Sequence, residues 1–296
     1  MTRRARWLIT GAGGMVGTDL LHALQKRNAD VVALTKSDLD ITNGRMVDAV
    51  IREKRPSIIV NCAAFTRVDD AESDSSTANA VNGSSVELLA QAANSVDALL
   101  TQVSTDFVFD GRKQTPYEVD DAPGPVSAYG RSKQLGEQAA THAQKHLIVR
   151  TAWLFGVHGH NFVEAIRNQI QKGTDPLRVV DDQRGRPTYT PHLAAALIRI
   201  VDAEGRGIVH YADQPECTWY DFAGAIVKEL GANVKVKPVS TDEFPRPATR
   251  PAYSVLSTET YERLTGAKPE SWRDGLREYL AKRGSSKFEV RSQNEE

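Results

Sequence analysis

Short apolar runs alternate with longer amphipathic stretches through the first half of the chain. RWLIT (6–10), VVAL (31–34), SIIV (57–60), ALLTQVS (98–104) and HLIVR (146–150) are continuously apolar rather than alternating. That pattern fits strands covered on both faces, as in a parallel sheet. Between them, MVGTDLLHALQKR, GRMVDAVIREK, SSVELLAQAANSV and a stretch opening at Ser127 place apolar residues at helical spacing. Strand and helix in regular alternation predict right-handed crossovers and a sheet wound in both directions.

After about residue 153 the rhythm breaks. NFVEAIRNQIQ, TPHLAAALIRIVDA, WYDFAGAIVKELG and SWRDGLREYLAKRG read as helices, LRVV and GIVHYA as short strands, and EFPRPATRPAY as a proline-marked loop. The expected fold class is therefore α/β. It comprises a Rossmann-like doubly wound parallel sheet with a smaller C-terminal α/β substrate-binding lobe. Residues 1–153 are expected to form the nucleotide-binding part, taking back roughly 177–203. Residues 154–283 make the interleaved lobe, and 284–296 a polar tail.

Composition narrows the function. The 296 residues are 40% hydrophobic and 25% charged, with a formal net charge of −1, which gives no general attraction for nucleic acid. A charged ligand must then be held by local groups. Cys62 and Cys217 stand far apart without zinc-ligand spacing, so a reducing compartment and no disulfide framework are expected. The arginines of MTRRARWLITGAGG resemble the start of a signal peptide, but the apolar run ends after four residues in a glycine loop. No stretch approaches the roughly 18 apolar residues of a membrane span. The expectation is a soluble cytoplasmic protein, either a monomer or a homodimer.

GAGGMVG follows the first strand and opens the first helix, with Gly11, Gly14 and Gly17 in GxxGxxG spacing. Glycine permits the turn and a close approach to phosphate, and the helix N-terminus offers unpaired N–H groups to a pyrophosphate. The bland alternative is a tight strand–helix turn; position at the start of the fold favours a dinucleotide. An acid about 20 residues on usually holds the ribose of NAD. Here Thr35, Lys36 and Ser37 occupy that strand end, which suits a 2′-phosphate and favours NADPH, with NADH possible. A solvated loop lysine is the alternative for Lys36. Asp40 is placed to meet the adenine edge, or to punctuate the next helix.

A helix capped by Ser127 puts Tyr129 and Lys133 four residues apart on one face. A neighbouring ammonium and the helix N-terminus are both expected to lower the phenol's pKa, making it a usable acid. By itself YxxxK is weak. The preceding strand, however, ends in Ser104, Thr105 and Asp106, and ligands of doubly wound sheets sit beyond that edge.

This combination resembles the extended short-chain dehydrogenase/reductase family over roughly residues 6–280. The resemblance also rests on NCAAFTRVDDAE (61–72), STDFVFDG (104–111), RTAWLFG (150–156), NFV (161–163), DDQRGRPTY (181–189) and TWYDFA (218–223). It implies NADPH-dependent reduction of a 4-keto group on a dTDP-sugar, for cell-surface polysaccharide synthesis, with Thr105, Tyr129 and Lys133 as the catalytic trio. It further implies that Gly14, Met15, Val16, Asp40, Ile41, Ala64, Phe65 and Thr66 line the cofactor. Thr105, Asp106 and Trp153 would touch the sugar nucleotide. Phe65 and Phe107 depart from the family's usual polar rings.

Chemistry and position alone suggest Arg250 for a diphosphate, since guanidinium fits phosphate oxygens bidentately; an ordinary solvated arginine is the alternative. Trp153 could stack on sugar or base, or simply fill the space between lobes. His158 and His160 lack a carboxylate nearby in the sequence, so they read as a loop and no metal is expected. Rival functions are a dehydratase, disfavoured because Phe107 replaces its second acid, a 4-epimerase, and a non-catalytic dinucleotide-binding regulatory subunit.

Overall fold

The computed structural model describes residues 5–284, so the tail expected from Gly284 lies outside the described residues beyond its first position. The central sheet has six parallel strands in the order β10-β5-β4-β3-β1-β2. These are β1 (Arg6–Thr10), β2 (Asp30–Leu34), β3 (Ile58–Asn61), β4 (Leu99–Thr105), β5 (His146–Thr151) and β10 (Gly207–His210). Five of them coincide closely with the apolar runs of the first half. The sixth differs from expectation: GIVH joins this sheet beside β5, whereas LRVV pairs elsewhere. An apolar run does not specify which sheet it enters.

Helices cover both faces. On one, α1 (Met15–Lys26) packs with α8 (Thr190–Asp202) and α10 (Glu259–Thr265) around Leu20, Leu24, Leu193, Leu197 and Tyr261. On the other, α2 (Gly44–Lys54), α5 (Ser85–Ser95) and α6 (Ala128–Ala140) bury Val47, Ile51, Leu89 and Ala140 against Ile59, Leu100 and Ile148. Between β3 and α5 lie α3 (Asp70–Ser73), α4 (Ser75–Asn79) and a π-helical turn at Ala80–Ser84, none of which has a periodic signature. The chain reverses direction across the sheet between β1 and β3, so the crevice opens at their C-terminal ends.

The smaller lobe has its own core of Phe155, Ile166, Tyr189, Phe222, Ile226, Trp272 and Tyr279. It is built from β6 (Leu154–Phe155), α7 (Phe162–Gln171), β7 (Leu177–Val180), β8 (Arg184–Gly185) and β9 (Thr188–Tyr189). Further along come β11 (Cys217–Thr218), α9 (Trp219–Glu229), β12 (Val236–Val239) and α11 (Trp272–Lys282). Its strands form three two-stranded pairs, β6–β9, β7–β12 and β8–β11. Among the described residues no helix is long and apolar enough to cross a membrane.

One buried ion pair ties α6 to the sheet. Arg150 of β5 donates to Glu137 of α6 through Nε (2.9 Å) and Nη2 (2.7 Å), and both side chains are at least nine-tenths buried. Ser104 of β4 donates to the same carboxylate at 2.5 Å. Arg150 also donates to His210 Nε2 at 3.3 Å, which leaves Nδ1–H of that ring to donate to the Tyr117 carbonyl at 3.1 Å. Burial, together with the Arg150 charge, pushes His210 down to about 3, so the ring is neutral.

Removing the guanidinium would strand a carboxylate away from water. Arg150→Met is expected to lower unfolding free energy by about 3–5 kcal/mol in urea titrations, with Glu137→Gln in the same chain restoring most of the loss.

Candidate active site

The glycine loop leaves β1 at Gly11, whose φ is +65° and whose missing Cβ would stand 2.5 Å from the Ala63 amide nitrogen. Any side chain there would push β1 away from β3, so the close approach requires glycine. Gly14 donates its N–H to the Gly11 carbonyl at 3.0 Å and serves as N-cap of α1. It provides no side-chain cap, and the first turn of α1 carries no acid. Met15 opens the helix, while Val16 and Gly17 are buried against the sheet. The helix N–H groups are thus available to an anion at the crevice, which fits a dinucleotide pyrophosphate.

At the end of β2 the structure adds an acid that the sequence reading passed over. Asp38 Oδ2 accepts from the Thr35 amide (2.9 Å) and hydroxyl (2.6 Å), and Ser37 Oγ lies 2.8 Å from that hydroxyl. Thr35 is therefore engaged within its own turn, leaving Lys36 as the exposed cation. Asp40 Oδ1 accepts from the amide and hydroxyl of Thr42, which hold its carboxyl below the usual range. The cap of α2 is Asn43, not Asp40. Ile41 is buried beside it.

Ala64, Phe65 and Thr66 follow β3. Asn82, in the π-helical turn, accepts from Phe65 N (2.8 Å) and donates through Nδ2 to Phe65 O (3.0 Å) and Ser132 Oγ (2.9 Å). One buried amide thereby joins this loop to α6. Sequence reasoning missed Asn82, because an asparagine among AVNGS has no signal of its own. Its role comes from partners 17 and 50 residues away.

Ser127 caps α6 as expected, its hydroxyl accepting from Gly130 N at 3.1 Å. Tyr129 lies in the first turn and Lys133 one turn further, both buried. The expected acidification of Tyr129 by Lys133 is not what the geometry produces. Lys133 donates Nζ to the Val103 carbonyl at 2.8 Å, and burial brings it down to about 8 against the pull of Glu137. Burial raises Tyr129 well above its ordinary pKa, and the negative charge of Asp106 adds to that; Thr105 acts the other way. Desolvation of a nine-tenths buried phenol outweighs a cation already spent on a carbonyl. Phe107 packs edge-on against the Tyr129 ring at 5.7 Å.

Thr105 ends β4. Its hydroxyl accepts from Phe107 N (3.2 Å) and donates to Asp106 Oδ1 (3.0 Å). Asp106 is itself 1% exposed, and its Oδ2 accepts from Ser254 at 2.5 Å. Burial lifts its carboxyl to about 6 despite these hydrogen bonds. Both of its oxygens are thus occupied by protein donors.

A cavity of about 650 Å³ opens beside this group, walled by Phe107, Trp153, Phe162, Trp219, Arg246 and Arg250. Trp153 has φ +48° and lies flat on Trp219, ring centroids 3.6 Å apart, so it both fills the inter-lobe space and faces the cavity. Gly185 leaves the room for it: a Cβ there would sit 2.4 Å from Trp153 Cε2. Asp69, from the loop after β3, gathers the two arginines. Arg246 Nη2 lies 2.6 Å and Arg250 Nη2 3.1 Å from its Oδ2, while Arg250 Nη1 lies 3.0 Å from Oδ1. The Ala248 amide donates to Oδ1 as well. Burial alone would raise Asp69, but Arg250, Arg246 and that amide outweigh it and hold the carboxyl at about 2.

The histidine loop also differs from expectation. The fold brings it a carboxylate from α1, with Asp19 Oδ1 3.8 Å from His158 Nε2. His22 joins them, the three groups offering ligand atoms within 4.8 Å of one another. Asp19 Oδ2 accepts from Thr190 Oγ1 at 2.5 Å. Asp19 is 139 residues before His158, which is why the sequence reading found no acid.

Asp69 gives a pH-dependent prediction. Its folded pKa lies below the ordinary 3.8, so its stabilisation is present above that value and is lost as pH falls through about 2. Asp69→Asn is expected to lower unfolding free energy by about 1–2 kcal/mol at pH 7. Urea titrations between pH 4 and pH 2 should show a shallower loss for the variant than for the parent.

The chain is similar to known proteins over almost its whole length. Residues 5–284 match the family model described as RmlD substrate binding domain. The spore coat polysaccharide biosynthesis protein SpsK of Bacillus subtilis (strain 168) is 40% identical over 280 residues, 94% of this chain and 98% of its own. The dTDP-4-dehydrorhamnose reductase of Streptomyces griseus is 42% identical over 284 residues, 93% of each chain. The dTDP-4-dehydrorhamnose reductase of Bacillus anthracis str. Ames, solved in complex with NADP, superposes with a TM-score of 0.90 at 36% identity. That match covers 95% of this chain and 100% of the other. The uncapped glycine loop, the Tyr129–Lys133 helix and the near-complete coverage lead to one conclusion: the chain belongs to the RmlD substrate-binding family, alongside the dTDP-4-dehydrorhamnose reductases.

Proposed function

We propose that this chain is a cytoplasmic oxidoreductase that reduces the 4-keto group of dTDP-4-dehydro-L-rhamnose to give dTDP-L-rhamnose for cell-surface polysaccharide, using NADPH. The observation that carries this reading is the convergence of Thr105, Tyr129 and Lys133 at the C-terminal edge of β4. Phe107, whose amide donates to Thr105 and whose ring packs on Tyr129, joins them to the wall of the 650 Å³ cavity.

The glycine loop with Gly11, Gly14, Met15, Val16 and Gly17 would hold the dinucleotide pyrophosphate. Lys36 would face the 2′-phosphate, Thr35 would line the same turn, and Asp40, Ile41, Ala64, Phe65 and Thr66 would frame the adenine half and the path to the nicotinamide. When bound there, NADPH supplies the hydride. As the ketone oxygen gains charge, Tyr129 gives it the phenol proton. Its raised pKa keeps that proton in place until the oxygen becomes the stronger base. Thr105 orients the same oxygen, and Lys133, an ammonium at neutral pH, is suited to ribose hydroxyls. Trp153, stacked on Trp219, offers a flat face to a base or sugar. Arg250 and Arg246 share the one carboxylate of Asp69, so the group keeps a single net positive charge on the cavity wall for a diphosphate, and Arg250 would have to exchange Asp69 to grip it bidentately. Asp106, occupied on both oxygens, would act on the sugar nucleotide at most through its rim.

A dehydratase reading is disfavoured because Phe107, packed on Tyr129, can move no proton. A regulatory subunit would bind dinucleotide but leave NADPH unconsumed.

With dTDP-4-dehydro-L-rhamnose supplied, the parent protein should consume NADPH and form dTDP-L-rhamnose by NMR. Tyr129→Phe should lose about 10²–10⁴-fold in kcat, with NADPH affinity within about twofold. Near-normal turnover of that variant would overturn the assignment of the acid.

A further inference from the structure

Thr105 has one hydroxyl proton and two claims on it. Ketone reduction requires that proton to point at the substrate oxygen, yet here it is given to Asp106 Oδ1 at 3.0 Å. The oxygen of Thr105 already accepts from Phe107 N, so one lone pair is left. Thr105 can turn to the ketone without leaving Oδ1 unpaired if Asp106 itself becomes the donor, which it does when the carboxyl carries its proton on that oxygen.

Which oxygen carries the proton is decided elsewhere in the chain. Ser254, 148 residues further on, donates to Asp106 Oδ2 at 2.5 Å and so keeps that oxygen an acceptor. The serine has little freedom. Its amide donates to the Arg184 carbonyl at 2.8 Å, and Arg184 N in turn donates to Ala252 O at 2.8 Å, pinning the segment to β8. Ser254 is 1% exposed, as is Asp106. With Oδ2 held in this way, a proton on the carboxyl resides on Oδ1 and is offered to Thr105.

We propose that Ser254 is a positioning residue for the reduction: by holding Asp106 through Oδ2, it turns Oδ1 towards Thr105 and directs the threonine hydroxyl at the ketone oxygen. This rests on the reductase reading above. No net proton moves along the line; Ser254, Asp106 and Thr105 only change which neighbour each one donates to. The proton consumed in the reaction still comes from Tyr129. The groups facing Asp106 are Thr105 from β4, Tyr129 from α6 and Ser254 from the segment against β8. Burial already places the carboxyl at about 6, close to where such a change of state is useful. The same serine borders the cavity alongside Arg250, so the segment that walls the substrate also sets the donor at the reacting carbon.

The test compares Ser254→Ala with the parent in steady-state turnover of the dTDP-ketosugar from pH 5 to pH 9. Loss of the hydrogen bond should lower kcat by roughly ten- to hundredfold while KM for the sugar nucleotide and NADPH affinity stay within about twofold. The proposal expects kcat to fall as Asp106 ionises, and because the serine favours the ionised carboxyl, its removal should move that fall to higher pH. An unchanged kcat, or a lower kcat with the parent's pH profile, would overturn the proposal. Asp106→Asn is the second arm, usable if Ser254→Ala does not fold: its amide donates permanently to Thr105, so that limb should vanish from a reduced kcat. Persistence of the limb would equally overturn it. A parent protein inactive on the ketosugar would instead remove the reductase reading, so the two failures are distinguishable.

Discussion

The site depends on a carboxylate and a guanidinium that face each other almost without water. Glu137 stands one turn beyond Lys133 on α6, and Ser104, which shares its carboxylate, immediately precedes Thr105 on β4. Holding Glu137 with Arg150 therefore fixes the angular setting of α6 against the strand end that carries Thr105. Buried pairs seldom add stability over an apolar replacement, and their value is in forbidding alternatives. Any rotation of α6 about its axis would leave both charges unpaired.

The same low-polarity surroundings explain the two opposed shifts in the site. Removing water disfavours whichever form is charged, so it raises the tyrosine and lowers the lysine. Between them they retain a neutral phenol beside an ammonium over the physiological range. That is the state a proton donor must start from. The lysine's bond to the Val103 carbonyl ties it to the end of β4.

Periodicity made most of the fold legible. The strands of the first half and the helices 15–26, 44–54, 85–95 and 162–171 follow from apolar spacing alone, because each buries a face that composition can mark. Capping was legible too, since Ser127 acts within three residues of itself. What escaped was polar and remote. Asp69 meets Arg246 across 177 residues and Ser254 meets Asp106 across 148, and neither has a local pattern that announces its partner. Asp38 is different: it lies one position beyond Ser37 and folds back on Thr35, a contact set by the turn and not by any apolar period. The pKa of Tyr129 is not legible in the sequence, because i,i+4 spacing gives proximity but not the depth of burial that dominates it.

Gly185 sets a limit on how this cavity can change. The stacked tryptophans stand where they do because that position carries only hydrogen, and the nearest indole carbon would collide with even one methyl. The width of the aromatic wall is thus dictated by the main chain of β8 rather than by the rings themselves. Swapping Trp153 or Trp219 for smaller residues would hollow the chamber, but enlarging the residue beneath them cannot narrow it without expelling the stack. The arginine-bearing segment rests on a glycine as well, since a Cβ at Gly111 would stand 2.5 Å from Pro251 Cα.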